Sequence, residues 1–220
     1  MIRIGVIGTI GVGKSTFIER LSHAFSDKDI DNKTFGEPSI IHGNLNEILR
    51  KFYLDTKRWA YPLQLGVSAA HEAIYTEIEE IEPKADQCQV AIVDAPYSSF
   101  IYCNIHAKAG RLTEQERKAI DDVSRPFHFD FIILLEETAD ETIARIKKRS
   151  RNEEKLDDLS YMYEHIEDFK LFRHQYLDKY FPNSEYIHLE SMPNIYSRDY
   201  ENIIENIVTK AIAKIKNTTE

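Results

Sequence analysis

Gly8-Thr9-Ile10-Gly11-Val12-Gly13-Lys14-Ser15 decides how this chain is read. The stretch fits the phosphate-loop pattern of a glycine, four residues, then Gly-Lys-Ser or Gly-Lys-Thr. Ahead of it, Ile2 to Ile7 form an apolar run that reads as a buried parallel strand, and after it Thr16 to Phe25 read as an amphipathic helix. Strand, loop and helix in that order are the context the motif needs. Glycines let backbone N–H groups close around a phosphate with no Cβ in the way. The helix start adds partial positive charge. Gly8 to Ser15, with Thr16 following, is therefore expected to hold the phosphates of a nucleoside triphosphate. Lys14 would reach the β- and γ-phosphates, and Ser15 would hold Mg²⁺.

Outward from the loop, Gln89–Asp94, Asp130–Leu135 and Glu185–Leu189 read as further strands, with Lys33–Glu37 a weaker one. Most are dense in Ile, Val, Leu and Phe, as parallel strands covered on both faces should be. Helices are expected at Leu45–Leu54, Tyr61–Glu80, Tyr97–Ala109, Thr113–Val123, Asp140–Arg149 and Arg198–Lys214, with Gly110 a stop and Pro83 beyond a helix end. Thr113 with Glu116, and Thr138 with Glu141, fit capping boxes. Leu156, Leu159, Tyr163, Ile166, Phe169, Phe172 and Tyr176 follow helical spacing and read as a core stripe. Alternating strands and helices imply right-handed crossovers: an α/β fold with a doubly wound parallel sheet of about five strands, helices on both faces.

The chain of 220 residues is long enough for one sizeable domain, and no Pro/Gly/Ser-rich linker divides it, so residues 1–220 are expected to form a single domain. With 37 acidic against 28 basic residues, the formal net charge of −9 argues against a nucleic-acid or anionic-membrane surface. Bound phosphates must then meet a local basic cluster. Cys88 and Cys103 suggest no disulfide framework and read as reduced core thiols. No run approaches the roughly 18 apolar residues of a membrane span. A cytoplasmic compartment fits, where ATP and Mg²⁺ are plentiful.

Several constellations could carry chemistry. In Glu37-Pro38, proline biases the preceding residue toward extended backbone and would present Glu37 at a strand's carboxyl end, where α/β sheets bind ligands. Glu37 could accept a hydroxyl proton there, or be a solvated loop residue. Asp94 ends a buried strand; it could hold Mg²⁺ or orient an attacking hydroxyl, or cap the next helix. Arg145, Lys147, Lys148, Arg149 and Arg151 form a basic cluster in an acidic chain, with Arg145 and Arg149 one helical turn apart. Guanidinium groups suit phosphate oxygens, although cations at a helix end also relieve the dipole. Arg58-Trp59-Ala60-Tyr61-Pro62-Leu63-Gln64 holds the one tryptophan; Gln64 could pair with a base edge, or the segment could simply start a helix. The eight histidines show no metal-ligand spacing and read as surface or satisfied residues.

In this order the pieces resemble the deoxynucleoside kinases. The resemblance runs from Ile2 to about Tyr180 and rests on the phosphate loop, Glu37-Pro38, Trp59-Ala60-Tyr61-Pro62-Leu63-Gln64 and Arg145 to Glu154. It implies a three-layer phosphate-loop kinase fold with an arginine-rich lid. It implies Glu37 as the general base toward the sugar 5′-hydroxyl and Gln64 as the partner of the base. Tyr53 and Glu154 would contact the 3′-hydroxyl, and Arg149 and Arg151 would face the transferring phosphoryl group, with Arg145 and Arg149 on ATP. Members are commonly dimers, so a homodimer is expected.

Two departures stand out. The family's arginine after the third-strand carboxylate is Ala95 here, within Asp94-Ala95-Pro96, and Arg58, Arg111 or Arg125 are the neighbours that could replace it. Asn104 falls about where many members stack a phenylalanine on the base. The expectation is an ATP- and Mg²⁺-dependent kinase acting on a deoxynucleoside, with no nucleic-acid polymer or membrane as partner. A nucleoside monophosphate acceptor, or a nucleotide-binding regulator with little catalysis, are the alternatives the residues leave open.

Overall fold

The computed structural model describes residues 1–36, 43–82, 88–149 and 160–219. Five strands, β1 (Ile2–Gly8), β2 (Asn32–Phe35), β3 (Val90–Asp94), β4 (Phe131–Glu136) and β5 (Glu185–Glu190), form one parallel sheet in the order β2-β3-β1-β4-β5. The helices among the described residues are α1 (Lys14–Ser26), α2 (Gly43–Leu54), α3 (Thr56–Ile81), α4 (Ser98–Lys108), α5 (Glu114–Asp121), α6 (Ala139–Arg149), α7 (Ser160–Tyr180) and α8 (Arg198–Thr219).

Side-chain alternation along the inner strands divides the core into two layers. Ile4 and Val6 of β1, Val90 and Ile92 of β3, and Ile133 and Leu135 of β4 pack with Phe17 and Leu21 of α1 and Ile204 and Val208 of α8. Their neighbours Ile7, Ala91, Val93, Ile132 and Leu134 face the other way, onto Tyr75 and Ile78 of α3, Ile101 and Ile105 of α4 and Phe169 and Tyr176 of α7. Covering both faces explains why these strands carry almost no polar residue. The order places β1 between β3 and β4, with Val6 opposite both Asp94 and Ile133. The loop after β1 therefore leaves the middle of the sheet's carboxyl edge, the place where such sheets bind ligands.

The structure moves several expected boundaries. Strand β2 ends at Phe35, two residues short of Glu37. The outer strand β5 exposes Glu185, Tyr186, His188 and Glu190, while Ile187 and Leu189 pack against the core. Helix α3 starts at Thr56 rather than Tyr61, with Asp55 accepting from Arg58 N at 3.0 Å as N-cap. Pro62 lies inside it, where its missing N–H removes one bond to the preceding turn. Gly66 on the same helix lets α2 approach: a Cβ there would lie 2.4 Å from Leu45 Cδ2.

Thr113 and Glu116 form the full capping box at α5. At α6 only half is made, since Glu141 N donates to Thr138 Oγ1 while Thr138 N donates to Glu137. In the α7 stripe Ile166, Phe169 and Tyr176 are buried, whereas Tyr163 is exposed and donates its hydroxyl to Asp140. Leu156 and Leu159 lie outside the described residues. Cys88 and Cys103 are buried free thiols. No described helix is long and apolar enough to cross a membrane.

Candidate active site

Gly11 and Gly13 carry φ of +79° and +109°, values that L side chains rarely adopt. Gly13 is the N-cap of α1 and provides no side-chain cap, so the first amides of the helix open onto the loop. Lys14 is buried, with Nζ donating to the Gly8 and Thr9 carbonyls at 3.2 Å each. Helix α6 rests on the loop from above. A Cβ on Gly11 would lie 2.4 Å from Ile146 Cγ1 and 3.2 Å from the Thr142 carbonyl. Ile10 packs against the buried cluster of Ile143, Ile146, Met162 and Ile166. Arg145 Nη1 donates to the Val12 carbonyl at 2.8 Å, and Nη2 to Glu137 at 3.0 Å.

Asp94 ends β3 directly opposite Val6 and is buried. It is not a helix cap: Tyr97 holds the N-cap position of α4. Between them Ala95 and Tyr97 sit at φ of +50° and +54°, a strained turn for non-glycine residues. Neighbours hold that turn. Ala95 N donates to Val6 O at 2.8 Å, Tyr97 N to Tyr75 Oη at 3.2 Å, and the Tyr97 hydroxyl to Arg125 O at 2.7 Å. Nearby on α3, His71 is fully buried and stacks on Tyr75 at 6.0 Å. Desolvation pulls its pKa down to about 4, although the Asp94, Val67 and Ala95 carbonyls pull the other way.

Between these elements and helices α2, α3, α4 and α7 lies a cavity of about 90 Å³. Lys14, Ala95, Tyr53 and Gln64 all line it, with Phe52, Leu63, Val67 and Met162 forming apolar wall. Gln64 is 5% exposed and its Oε1 has no hydrogen-bond partner. Ser98, Tyr102 and His106 also line the cavity, one helical turn apart on α4, and His165 joins them from α7. His106 lies 5.2 Å from both the Phe52 and the His165 rings. Burial, then the charges of His165 and Arg111, push its pKa well below the usual imidazole value.

A second cleft, of about 670 Å³, opens on the other side of the loop. Gly13, Thr16, Arg145 and Lys148 line it, opposite Asn194 and Tyr196 from the segment after β5. Tyr196 is 80% exposed. The phosphate loop is thus shared by two spaces, reaching one with Lys14 and the other with Val12, Gly13 and Thr16.

Of the residues singled out in the sequence, the phosphate loop with Arg145 forms one group, and Lys14, Tyr53 and Gln64 meet in one cavity beside Asp94's turn. Glu37, Arg151 and Glu154 lie outside the described residues, as does the side chain of Arg149, the last residue of α6. Asn104 does not line the cavity. It sits two residues past Tyr102, on a different face of α4, and its Nδ2 donates to Phe100 O at 2.9 Å. None of the three arginines named as replacements for the one absent at Ala95 lines the cavity. Arg125 is held by Glu72 and Glu79, Arg111 bonds Glu164, and Arg58 lies 5.8 Å over Trp59.

Among the histidines expected to be surface or satisfied residues, His106 departs, since it lines the cavity buried with Nδ1 unpartnered; His71 and His165 are buried too. The signal for His106 was the spacing of Ser98, Tyr102 and His106, which share a helix face. Elsewhere, ligand atoms of Glu136, His188 and Glu190 lie within 4.8 Å of one another at the ends of β4 and β5, with Arg173 already paired to Glu136. No sequence motif joins these three, because they meet across two strands.

The family model described as deoxynucleoside kinase matches residues 4–215. The chain is 25% identical over 181 residues to the mitochondrial deoxyguanosine kinase of Xenopus laevis, covering 73% of this chain and 68% of that protein. It is 30% identical over 165 residues to the deoxyadenosine/deoxycytidine kinase of Bacillus subtilis, covering 72% of this chain and 70% of that one. In fold it is similar to the deoxyadenosine kinase from M. mycoides with bound dATP, at a TM-score of 0.70 and 20% identity over 95% of this chain and 98% of that one. The same kinase with bound dCTP gives 0.72, with 96% and 100% covered.

Proposed function

Since this chain belongs to the deoxynucleoside kinase family and so is an enzyme that phosphorylates deoxynucleosides at the expense of a nucleotide, we propose that it moves the γ-phosphoryl group of ATP to the sugar 5′-hydroxyl. The observation that carries this reading is the pair of spaces meeting at one phosphate loop. The cleft beside Arg145 and Lys148 suits the donor, and the cavity beside Gln64 and Tyr53 suits the acceptor. The unpartnered Gln64 Oε1 supports a base in that cavity, since a buried acceptor gains a bond when a ligand N–H reaches it.

In this reading Glu37 takes the 5′-hydroxyl proton, the hydroxyl oxygen bonds to the γ-phosphorus, and the bond from that phosphorus to the β–γ bridging oxygen breaks to release ADP. The loop amides and Lys14 neutralise the charge on the transferring group, while Arg145, Arg149 and Arg151 do so from the lid. Tyr53 and Glu154 hold the 3′-hydroxyl. Ser15 and Asp94 are hard oxygen donors that fit Mg²⁺, which when bound with the nucleotide shields phosphate charge. We read the compartment as cytoplasmic and the active form as a homodimer.

A monophosphate acceptor would need cations to hold its phosphate. Lys14 is the one lysine or arginine among the described residues lining the cavity, and His106 is held neutral, so a nucleoside is favoured. A panel of the four deoxynucleosides and their 5′-monophosphates with radiolabelled ATP tests this. Transfer to at least one nucleoside is expected; transfer to monophosphates alone would reassign the acceptor.

A further inference from the structure

Gln64 Oε1 is not the only unpartnered atom in the acceptor cavity: His106 Nδ1 also has no hydrogen-bond partner, and its side chain is 1% exposed. Folded proteins rarely leave a buried nitrogen unsatisfied without use for it. The imidazole is also fixed in place, with Phe52 at 5.2 Å and His165 at 5.2 Å. His165 in turn stacks on Tyr102 at 5.8 Å.

The position along α4 says which part of a nucleoside this nitrogen would meet. Ser98, next to the Asp94 turn, stands at the phosphate end. His106 is eight residues further, roughly 12 Å along the helix axis. A sugar whose 5′-hydroxyl faces the phosphate loop therefore directs its base toward His106. Ser68 Oγ of α3 and Ser99 Oγ of α4 lie 2.7 Å apart, and Leu63 and Val67 share a buried cluster with Cys103, so the two helices pack side by side and bring Gln64 and His106 to the same cavity. The neutral imidazole offers one donor and one acceptor, which suits an uncharged base.

We propose that His106 is a specificity-determining residue whose Nδ1 hydrogen-bonds the nucleobase alongside Gln64. This rests on the reading of the cavity as the nucleoside site. Phe52 and His165 then act as positioning residues, holding the ring so that it reads the base rather than turning away.

The test compares wild type with His106→Asn, His106→Gln and His106→Leu on the four deoxynucleosides, and on deaza analogues of the preferred one. Asparagine keeps a polar atom near the Nδ1 position, glutamine moves it outward, and leucine removes it. His106→Leu is expected to lower kcat/KM for the preferred nucleoside about 10- to 100-fold, mainly through KM, and to flatten the ranking of bases. His106→Asn should recover much of this, and KM for ATP should stay unchanged. A deaza analogue that costs wild type should cost His106→Leu little more. Equal losses on all four nucleosides, with the ranking and the deaza penalties intact, would overturn the proposal. If the leucine variant does not fold, the Asn and Gln variants decide: the ranking should survive in the first and change in the second, and identical behaviour overturns it. A wild-type enzyme inactive on every deoxynucleoside would instead overturn the reading of the site itself.

Discussion

Arg145 and Val12 stand 133 residues apart in sequence and are joined by a 2.8 Å hydrogen bond from the guanidinium Nη1 to the loop carbonyl. Through that bond, and through Ile146 over Gly11, helix α6 and the phosphate loop are built as one unit. The basic cluster of the sequence therefore begins beside the phosphate loop.

Replacing Arg145 with methionine keeps most of the side chain's bulk and removes the charged contacts. Because its partner Glu137 is only 6% exposed and would be left without its cation, the fold should lose about 1–3 kcal/mol. Losing a charge-assisted contact to the loop and the donor should raise KM for ATP about 10- to 100-fold. Steady-state kinetics with varied ATP, beside thermal melts, check both halves; an unchanged KM would detach Arg145 from the donor.

Gly11→Ala places a methyl 2.4 Å from Ile146 Cγ1 at a backbone φ of +79°. Overpacking and left-handed strain together should cost about 2–4 kcal/mol, and the displaced loop should no longer bind ATP. Urea unfolding and ATP titration measure these. A variant with wild-type stability and affinity would mean that α6 yields freely.

Gln64→Leu separates function from stability. It removes a buried acceptor that has no partner, so stability should be unchanged or raised by up to about 1 kcal/mol. At the same time kcat/KM for the nucleoside should fall about 100-fold, with KM for ATP constant. A drop in stability without a change in nucleoside kinetics would assign Gln64 to the fold.

His71 makes stability depend on pH. Its folded pKa of about 4 lies below the ordinary imidazole value of 6.5, so between the two the unfolded chain binds more protons. The contribution is present in full above pH 6.5 and is lost as pH falls toward 4, on the order of 3 kcal/mol in all. The lowered pKa of His106 acts in the same direction. Unfolding free energies at pH 7 and pH 5 should differ by about 2 kcal/mol from His71 alone, and His71→Phe should flatten that slope.

The centre of the fold was legible because its physics is local. The glycine pattern after an apolar run names a phosphate loop, and strands buried on both faces read as unbroken Ile, Val and Leu. The start of α3 was hidden by Pro62, since a proline at an apparent boundary and one inside a longer helix look alike without the Asp55 cap bond. The acceptor cavity was legible only where a motif marked it, at Gln64 and Tyr53. Tyr102, His106 and His165 carry no motif, and they meet because α4 and α7 pack side by side. Asn104 was misplaced for a geometric reason: two residues on a helix turn a side chain roughly 200° away from the face in question.

The transfer itself is tested by incubating the wild-type enzyme with γ-labelled ATP, Mg²⁺ and each deoxynucleoside, and locating the label in the product. Label is expected at the 5′-position of a deoxynucleoside monophosphate, formed at least 100-fold more slowly by Glu37→Gln while ATP affinity is unchanged. ATP bound tightly with no labelled monophosphate from any deoxynucleoside would contradict it.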